Sequence, residues 1–552
     1  MNYNSWLFWA LFALVLLPYW RLAHRHQNTL LLASSYVFYG FWDFRFLFLI
    51  LLSTTIDFIG GLAIGGVSQP RRKQVGLACL LLFASLLLCT NIDFPRLWSA
   101  VGAADAPAIV ASLPGALSDL LIPAVTLGII LAFATFVVFV NRQPEERRRK
   151  LYMVASITAN LAILGFFKYF NFFATSFADG VQALGLGHPS WFTLHVLLPA
   201  GISFYTFQSM SYCIDIYRGH AKPTTNFKDF ALFVCFFPHL VAGPIMRAST
   251  LLPQVVGRRV LRENAWQEGF FLVALGMFKK IVVADNLAPI VNAVYAHANH
   301  DVSTLSGMDV LIATYAFAIQ IYCDFSGYSN VARGISKWLG FELVVNFKNP
   351  YIAQSPSDFW LRWHISLSSW LRDYLYIPLG GNRHGTLFTY RNLALTMLLG
   401  GLWHGANWTF IAWGAYHGVI LCIYRMLGIP DVVPRSAPLR GWRVAGRVLL
   451  MLHLTCVGWL LFRAESIGSA AAMLTQVFVN FSPTSFAASA LVLMLFFAAP
   501  LFVFEQWLGS EEHAQSALVR PWWLQAPAWS YAAIMLVVFQ ASRTSAFIYF
   551  QF

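Results

Sequence analysis

Charged residues are scarce in this sequence. Only 11% of its 552 residues are Asp, Glu, Lys or Arg, whereas 58% are hydrophobic. Because soluble domains carry about 25% charged residues, this composition excludes an ordinary soluble protein and is typical of one embedded in lipid. No hydrophilic stretch long enough to separate domains interrupts the apolar runs. We therefore predict a single integral membrane domain over residues 1–552.

Acidic residues are fewer than basic ones, and the net charge is +13. The cations lie in short loops between apolar runs, which is the orientation signal of a bacterial inner-membrane protein and argues against nucleic-acid binding. Cation-rich loops alternate with loops such as 90–116, which carry few cations. We expect the basic loops to face the cytoplasm and membrane lipids, and the amino terminus to be periplasmic.

Motifs for disulfides, metals and common cofactors are missing. The seven cysteines are scattered, mostly inside apolar runs, and no C-x-x-C occurs, so we expect free buried thiols. The histidines lack metal-ligand spacing, and no Walker loop, G-x-S-x-G, H-E-x-x-H or Rossmann fingerprint stands in a suitable context. The first apolar run has no preceding basic residue and no cleavage site, which predicts an uncleaved first span.

Apolar runs dominate what is present. They lie near 6–20, 29–42, 44–64, 75–89, 117–140, 151–173, 195–216, 266–296, 309–323, 391–404, 408–427, 444–462, 486–507 and 529–545. Several are shorter than the roughly 20 residues that cross a bilayer upright, so we expect re-entrant or interfacial pieces. The predicted fold is an all-α polytopic bundle with about 11–14 crossings.

The stretch "SPSDFWLRWHISLSSWLRDYLYIPLGG" predicts one helix that starts at Ser355 and stops before Pro378. Its apolar residues recur at helical spacing: Trp360, Trp363, Leu367, Trp370, Leu371 and Tyr374. Arginines take the other face, the pattern of a helix at the membrane surface. His364 falls on the apolar side, where a histidine is ordinarily a satisfied core residue.

A second histidine, in "LLGGLWHGAN", lies deeper. If the run from Arg391 is helical, His404 lies about 20 Å along it, inside a hydrocarbon layer roughly 30 Å thick. An ionisable group at that depth is costly and usually marks a pathway or an active site. The surrounding glycines admit either a thin substrate or a closely packed helix. The local sequence leaves both interpretations open.

Further polar residues occur within apolar runs. "IQIYCDFSGYSN" places Asp324, Ser326 and Tyr328 at the predicted inner end of a span, and "PAGISFYTFQSMSYCIDIY" carries Gln208 and Ser211. They could line a polar tunnel or join helices by hydrogen bonds. Two adjacent lysines, 279 and 280, are predicted near the cytoplasmic face, where they could meet anionic lipid or the phosphates of a nucleotide-bearing donor.

Six segments together resemble the membrane-bound O-acyltransferase (MBOAT) family, in particular the branch that includes the alginate O-acetylation proteins. They are "PAGISFYTFQSMSY", "HLVAGPI", "FKKIVVAD", "CDFSGYSNVARG", "FWLRWHISLSSWLRDYLYIPLGGNRHG" and "LLGGLWHGANWTFIAWGAYHG". The resemblance covers a core at 199–418, while the helices at 1–190 and 425–552 match only in general character. Leu361 is a departure, since the branch tends to carry an arginine there.

The resemblance implies an MBOAT-like bundle around a central tunnel, with His404 as the catalytic histidine and His364 as its partner. It extends, as expectations, to tunnel or donor-binding roles for Gln208, Ser211, Asp324, Ser326, Tyr328, Asn346, Arg362, Trp363, Trp403 and Asn407. The implied donor is a cytoplasmic acyl thioester, acetyl-CoA or another, used as co-substrate with no bound cofactor. The implied acceptor is a hydroxyl of an exported polysaccharide such as alginate or cellulose.

The acceptor could react directly or through a periplasmic acetyltransferase or polysaccharide-synthesis complex. Two alternatives stay within acyl transfer: D-alanyl transfer from a carrier-protein thioester, and peptidoglycan O-acetylation. A third is a transporter without chemistry. That class is expected to show paired inverted repeats with broken helices, and no such symmetry is visible in the sequence.

Overall fold

The computed structural model describes residues 3–68, 70–90, 117–187, 198–241, 243–429, 441–508, 521–540 and 547–548, with isolated positions between 92 and 112. Within these ranges every regular element is helical, as predicted. The first helices are α1 Trp6–Tyr19, α2 His24–Gly40, α3 Phe46–Ile64, α4 Arg71–Cys89, α5 Leu121–Val140, α6 Glu145–Leu164, α7 Phe170–Ala183 and α8 Ile202–Tyr217. Most of the low-cation loop 90–116 and the ends of two predicted spans, 195–197 and 541–545, lie outside the described residues.

The remaining helices include several short ones between longer segments. They are α9 Phe227–Cys235, α10 Phe237–Leu240, α11 Ala248–Val256, α12 Ala265–Met277, α13 Asp285–Ala298, α14 Gly307–Trp338, α15 Pro356–Trp360, α16 Ile365–Leu371, α17 Thr386–His404, α18 Trp408–Met426, α19 Gly441–Arg463, α20 Ile467–Val479, α21 Ser485–Leu508 and α22 Trp522–Val538. Three wide π turns, Gly165–Tyr169, Phe278–Ala284 and Arg372–Tyr376, directly follow α6, α12 and α16. Short 3-10 turns occupy Leu117–Leu120, Val302–Thr304 and Pro350–Ile352.

Seven helical segments in the described part of the chain are long and apolar enough to cross a membrane. They are Phe46–Ile64, Arg71–Cys89, Leu121–Val140, Glu145–Ala183, Gly307–Trp338, Gly441–Arg463 and Ser485–Gln506. Trp6–Tyr19 and Ile467–Val479 are apolar but shorter. The chain is therefore a multi-pass membrane protein, and the higher count of about 11–14 crossings stays a prediction.

Helix α14 lies at the centre of the bundle and corrects the predicted span 309–323. It continues to Trp338, so that Asp324 and its polar neighbours lie mid-helix in the core and not at an inner end. Polar residues did not end this helix because the core supplies their partners. Asp324 pairs with Lys280 at 2.8 Å and accepts a hydrogen bond from the Ile548 amide at 2.7 Å.

The predicted lipid or donor contact of the two adjacent lysines is wrong. Lys279 is fully buried and lies 2.6 Å from Glu505, and Lys280 also lies 3.0 Å from Asp285. The π turn Phe278–Ala284 that carries them packs on α14. A buried ammonium group needs an anionic partner. These two cations therefore hold the core together.

The single helix predicted from Ser355 is also wrong. It begins as expected, with the Ser355 side chain accepting from the Asp358 amide and Pro356 in the first helical position. It ends at Trp360, however, and a new helix starts at Ile365 after His364, whose φ is +43°. A left-handed residue cannot continue a right-handed helix. Buried apolar side chains lie on both sides of the break, among them Phe359, Leu367 and Trp370.

All seven cysteines are free, as predicted, but not all are buried. Cys213, Cys235, Cys323 and Cys456 are buried, whereas Cys79 is exposed and Cys89 and Cys422 are partly exposed.

Candidate active site

His404 is the last residue of α17, and its side chain is only 5% exposed. Three aromatic rings meet the imidazole edge to face: Trp403 and Trp413 at 5.0 Å and Phe462 at 5.4 Å between centroids. His404 also borders a cavity of about 420 Å³. His404 is therefore buried among aromatic rings and borders a cavity.

The cavity beside His404 has both polar and apolar walls. Its polar side chains come from Asp43, Lys168 and Ser203, and its apolar wall includes Phe204 and Trp403. Asp43 is held by Arg45, whose Nη2 lies 2.5 Å from the carboxylate. Polar groups beside apolar rings suit a large ligand that carries a hydroxyl group.

The glycines around His404 serve helix packing. A Cβ atom on Gly401 would lie 2.2 Å from the Phe410 carbonyl oxygen, and one on Gly414 would lie 2.4 Å from that of Met397. A Cβ on Gly405 would strike the Phe410 ring at 2.0 Å. The absent side chains let α17 and α18 touch backbone to backbone. Of the two interpretations left open by the sequence, close packing accounts for these three glycines.

His364 is fully buried and has one hydrogen-bond partner that fixes its tautomer. Its Nδ1 lies 3.2 Å from Asn346 Oδ1, which also accepts from the backbone amide of Ser366 at 3.1 Å. Because a backbone N–H is always a donor, the accepting atom of Asn346 must be its oxygen, so Nδ1 of His364 carries the proton. Burial lowers the pKa of His364 to about 3. The ring is thus neutral, and Nε2 keeps a free lone pair.

Trp403 connects the two histidines. Its ring centroid lies 6.0 Å from that of His364 and 5.0 Å from that of His404. Phe204 and Phe207, on α8, pack against the same indole at 5.5 and 5.4 Å. Asn346, His364, Trp403 and His404, expected from the resemblance, therefore form one layer.

A second cavity lies near this layer. It measures about 540 Å³ and is lined by Ile365, the neighbour of His364, and by the cations Arg262, Arg333, Lys337 and Lys348. Glu263, Glu268 and Glu342 lie among them, and Lys337 pairs with Glu268 at 2.9 Å. One cavity thus borders His404, and another, lined by four cations and three carboxylates, borders Ile365 next to His364.

The structure places other expected site residues outside this layer. Gln208 donates to the Phe233 carbonyl at 2.6 Å and contacts His239 at 2.9 Å, and Ser211 bonds the Gln208 carbonyl. Ser326 is buried within α14, and Tyr328 packs on Phe547 at 4.4 Å.

Three more expected residues have contacts typical of structural roles. Arg362 pairs with Asp358 at 2.6 Å, and Trp363 packs on Trp459 at 4.7 Å. Asn407 caps α18 by accepting from the Thr409 amide at 3.1 Å, and it borders a third cavity of about 470 Å³ next to His404. Functional roles for these residues stay predictions.

Sequence reasoning missed Lys168, which borders both the cavity of His404 and the cavity of Asn407. Its Nζ lies 2.6 Å from the carbonyl oxygen of Trp403 and 3.0 Å from that of His404. The signal was present, since a lone lysine inside the apolar run "GFFKYFNFF" is the kind of intramembrane charge that warrants attention.

Comparison with known proteins agrees with the resemblance found in the sequence. The model of the MBOAT, membrane-bound O-acyltransferase family, matches residues 220–428. The "Probable alginate O-acetylase AlgI" of Azotobacter vinelandii is 38% identical over 455 residues, which are 82% of this chain and 73% of that protein. The protein of the same name from Pseudomonas putida is 46% identical over 339 residues, 61% of this chain and 66% of its own length.

A relative named for a different activity also matches. The "Peptidoglycan O-acetyltransferase" of Helicobacter pylori is 37% identical over 360 residues, which are 59% of this chain and 64% of that protein. The chain thus spans about two thirds of the length of the curated relatives it matches. Helical architecture, apolar spans and these matches agree, and the chain belongs to the membrane-bound O-acyltransferase family.

Proposed function

We propose that this protein transfers an acetyl group from a cytoplasmic thioester, acetyl-CoA or a related acyl thioester, to a hydroxyl group. The transferred acetyl group serves the O-acetylation of an exported polysaccharide. The observation that carries the proposal is the layer of His364, Trp403 and His404, with one cavity at His404 and another at Ile365, the neighbour of His364. Such a layer allows donor and acceptor to approach the same point from different directions. The activities for which the alginate and peptidoglycan relatives are named support acetyl transfer.

His404 is the proposed general base. A neutral imidazole accepts the proton of the acceptor hydroxyl as the oxygen attacks the thioester carbonyl. The carbon–oxygen bond forms, the tetrahedral intermediate expels the thiolate, and the proton held by His404 passes to that sulfur. The ester and the free thiol are the products. The cavity of about 420 Å³ beside His404 supports this role, because it gives the hydroxyl access.

His364 is proposed to orient the donor. With Nδ1 bonded to Asn346, its free Nε2 lone pair accepts a hydrogen bond, so it suits an amide N–H of the donor better than a developing negative charge. This favours a role for His364 in orienting the donor over one in stabilising charge. The basic cavity beside Ile365 supports a donor with phosphate groups on that side.

The loop charges support the sidedness of the proposal. The basic cavity includes Arg262 and Lys348, which belong to the cation-rich loops expected in the cytoplasm of the bacterial inner membrane. The cavity beside His404 includes Asp43, from the turn after α2, which the same orientation assigns to the periplasm. A periplasmic acetyltransferase or polysaccharide-synthesis complex is the proposed partner there.

The experiment uses the full-length protein in membrane vesicles with [¹⁴C]acetyl-CoA and measures label on purified polysaccharide acceptors. The wild type is expected to transfer label, and His404→Ala is expected to lose at least about 100-fold of that rate. His453→Ala is the control, because His453 contacts Tyr315 and lies away from the cavities. Retained transfer by folded His404→Ala contradicts the mechanism.

The same vesicles distinguish the alternatives. Label on peptidoglycan alone supports the peptidoglycan activity, and transfer only of D-alanine from a carrier thioester supports the D-alanyl activity. Movement of a solute across the vesicle membrane without any ester product supports a transporter.

A further inference from the structure

The carboxyl end of α17, which carries His404, is held by groups from another helix. The last four carbonyl groups of an α-helix have no partner within it. After His404 the chain leaves through Gly405 in an extended conformation, with φ −160° and ψ 156°, so no left-handed turn caps the end.

Side chains of one segment take the place of that cap. Lys168 Nζ donates to the carbonyl of Trp403 at 2.6 Å and to that of His404 at 3.0 Å. Tyr169 Oη donates to the carbonyl of Leu402 at 2.8 Å. Three consecutive carbonyls are therefore bound by two consecutive side chains.

The π turn Gly165–Tyr169 makes this arrangement possible. In a regular α-helix adjacent side chains point about 100° apart, so two neighbours rarely bind the same target. The wider turn places both Lys168 and Tyr169 on the end of α17. Wide turns of this kind are frequent at functional sites.

Lys168 differs from Tyr169 in its place relative to the cavities. It borders both the cavity of His404 and the adjoining one, and its Nζ lies 3.3 Å from Ser203 Oγ, another cavity residue. A cation at the carboxyl end of a helix is stabilised by the helix dipole. Its two carbonyl bonds hold the peptide groups on both sides of the His404 Cα.

We propose that Lys168 is a positioning residue for acyl transfer, which keeps the His404 imidazole at the cavity by binding the carbonyls of Trp403 and His404. This inference rests on the function proposed above. Helix ends fray unless they are tied down. Misplacement of a reacting group by about 1 Å can cost about 100-fold in rate. The tether therefore acts on the chemical step more than on donor binding, because the basic cavity lies elsewhere.

The test compares Lys168→Met, which keeps the length of the side chain, with Lys168→Arg, which keeps its charge and donors. Tyr169→Phe is the matched control, because it removes one bond at the same helix end without touching the His404 carbonyl. For each, kcat and the KM for the acetyl donor are measured in vesicles, together with the thermal midpoint. We expect Lys168→Met to lower kcat by about 10- to 100-fold with KM changed by less than about threefold. Lys168→Arg should recover most of kcat, and Tyr169→Phe should stay near the wild type.

Wild-type kcat in Lys168→Met, a loss confined to KM, or an equal loss in Tyr169→Phe overturns the inference. If Lys168→Met does not fold, Lys168→Gln replaces it in the assay. If neither variant folds while Lys168→Arg is fully active, the role of Lys168 is purely structural, and this result also overturns the inference. Wild type and His404→Ala are assayed in parallel. If the wild type is inactive, or if His404→Ala is active, the proposed function fails and the inference fails with it. If the wild type is active, His404→Ala is inactive and Lys168→Met is fully active, only the inference fails.

Discussion

His364 donates its Nδ1 proton to the side-chain oxygen of Asn346 across 3.2 Å, and this bond decides which nitrogen faces the aromatic layer. The same oxygen accepts from the Ser366 hydroxyl at 2.9 Å and from its amide, so one amide group fixes both the ring and the start of α16. The left-handed backbone at His364 is the cost of this arrangement.

Asn346→Ala should weaken both folding and transfer. It leaves the Nδ1–H of His364 and the Ser366 amide without their buried acceptor, and each orphaned donor costs about 1–3 kcal/mol. We expect a lower thermal midpoint and a reduced kcat, since His364 can then turn or change tautomer. Gln354→Ala, at a partly exposed side chain in the next loop, is the control and should alter neither. Full activity in Asn346→Ala would contradict the tautomer assignment.

His364 should make stability depend on pH in a predictable direction. Burial lowers its pKa from the model-compound value of 6.5 to about 3, so between these values the unfolded chain binds a proton that the folded chain does not. The stabilising contribution is complete above about pH 6.5 and is lost as the pH falls towards 3. His364→Asn keeps a residue that tolerates the left-handed backbone but removes the titration. Its thermal midpoint should fall less steeply than that of the wild type between pH 7 and 5. Parallel curves for the two proteins would show that His364 does not titrate in this way.

Gly401→Ala should separate α17 from α18. A methyl group there would lie 2.2 Å from the Phe410 carbonyl oxygen, which belongs to backbone and cannot move aside alone. Overpacking of this kind costs about 1–3 kcal/mol. Because α17 ends at His404, we also expect acetyl transfer to fall. Gly446→Ala, where a Cβ meets no atom within 4 Å, is the matched control and should leave the thermal midpoint unchanged or raise it. Equal midpoints for the two variants would rule out close packing at Gly401.

Lys280→Met should be among the most destabilising single substitutions in the core. It leaves the carboxylates of Asp285 and Asp324 buried without their cation, and breaking a buried ion pair costs about 3–5 kcal/mol. Arg262→Met is the comparison, because Arg262 is 73% exposed and lies 3.6 Å from Glu342. An exposed pair contributes only about 0–1 kcal/mol. Urea unfolding in detergent should show a large loss for the first variant and almost none for the second. Similar midpoints would contradict the structural role given to Lys280.

The sequence was sufficient for the helical class and the family, because each rests on composition or on motifs spread over many residues. The sequence did not predict where a helix breaks, as at His364, or where it continues through polar residues, as at Asp324. The spacing of Trp360, Trp363 and Leu367 fits one continuous helix and carries no sign of the left-handed backbone at His364. Similarly, Asp324 suggested a helix end because its partner, Lys280, lies 44 residues earlier in the chain.

The three π turns carry a consequence for how this chain tolerates change in length. Each turn holds one residue more than an α-helical turn, and each places a charged side chain on a distant partner. Removal of a single phenylalanine from 165–169 would restore ordinary α-helical winding and rotate everything downstream by about a quarter turn. The shortened segment would remain hydrophobic enough to insert into a bilayer. A hydropathy profile would not reveal the deletion. Lys168 would nevertheless face away from α17, whose end it now holds.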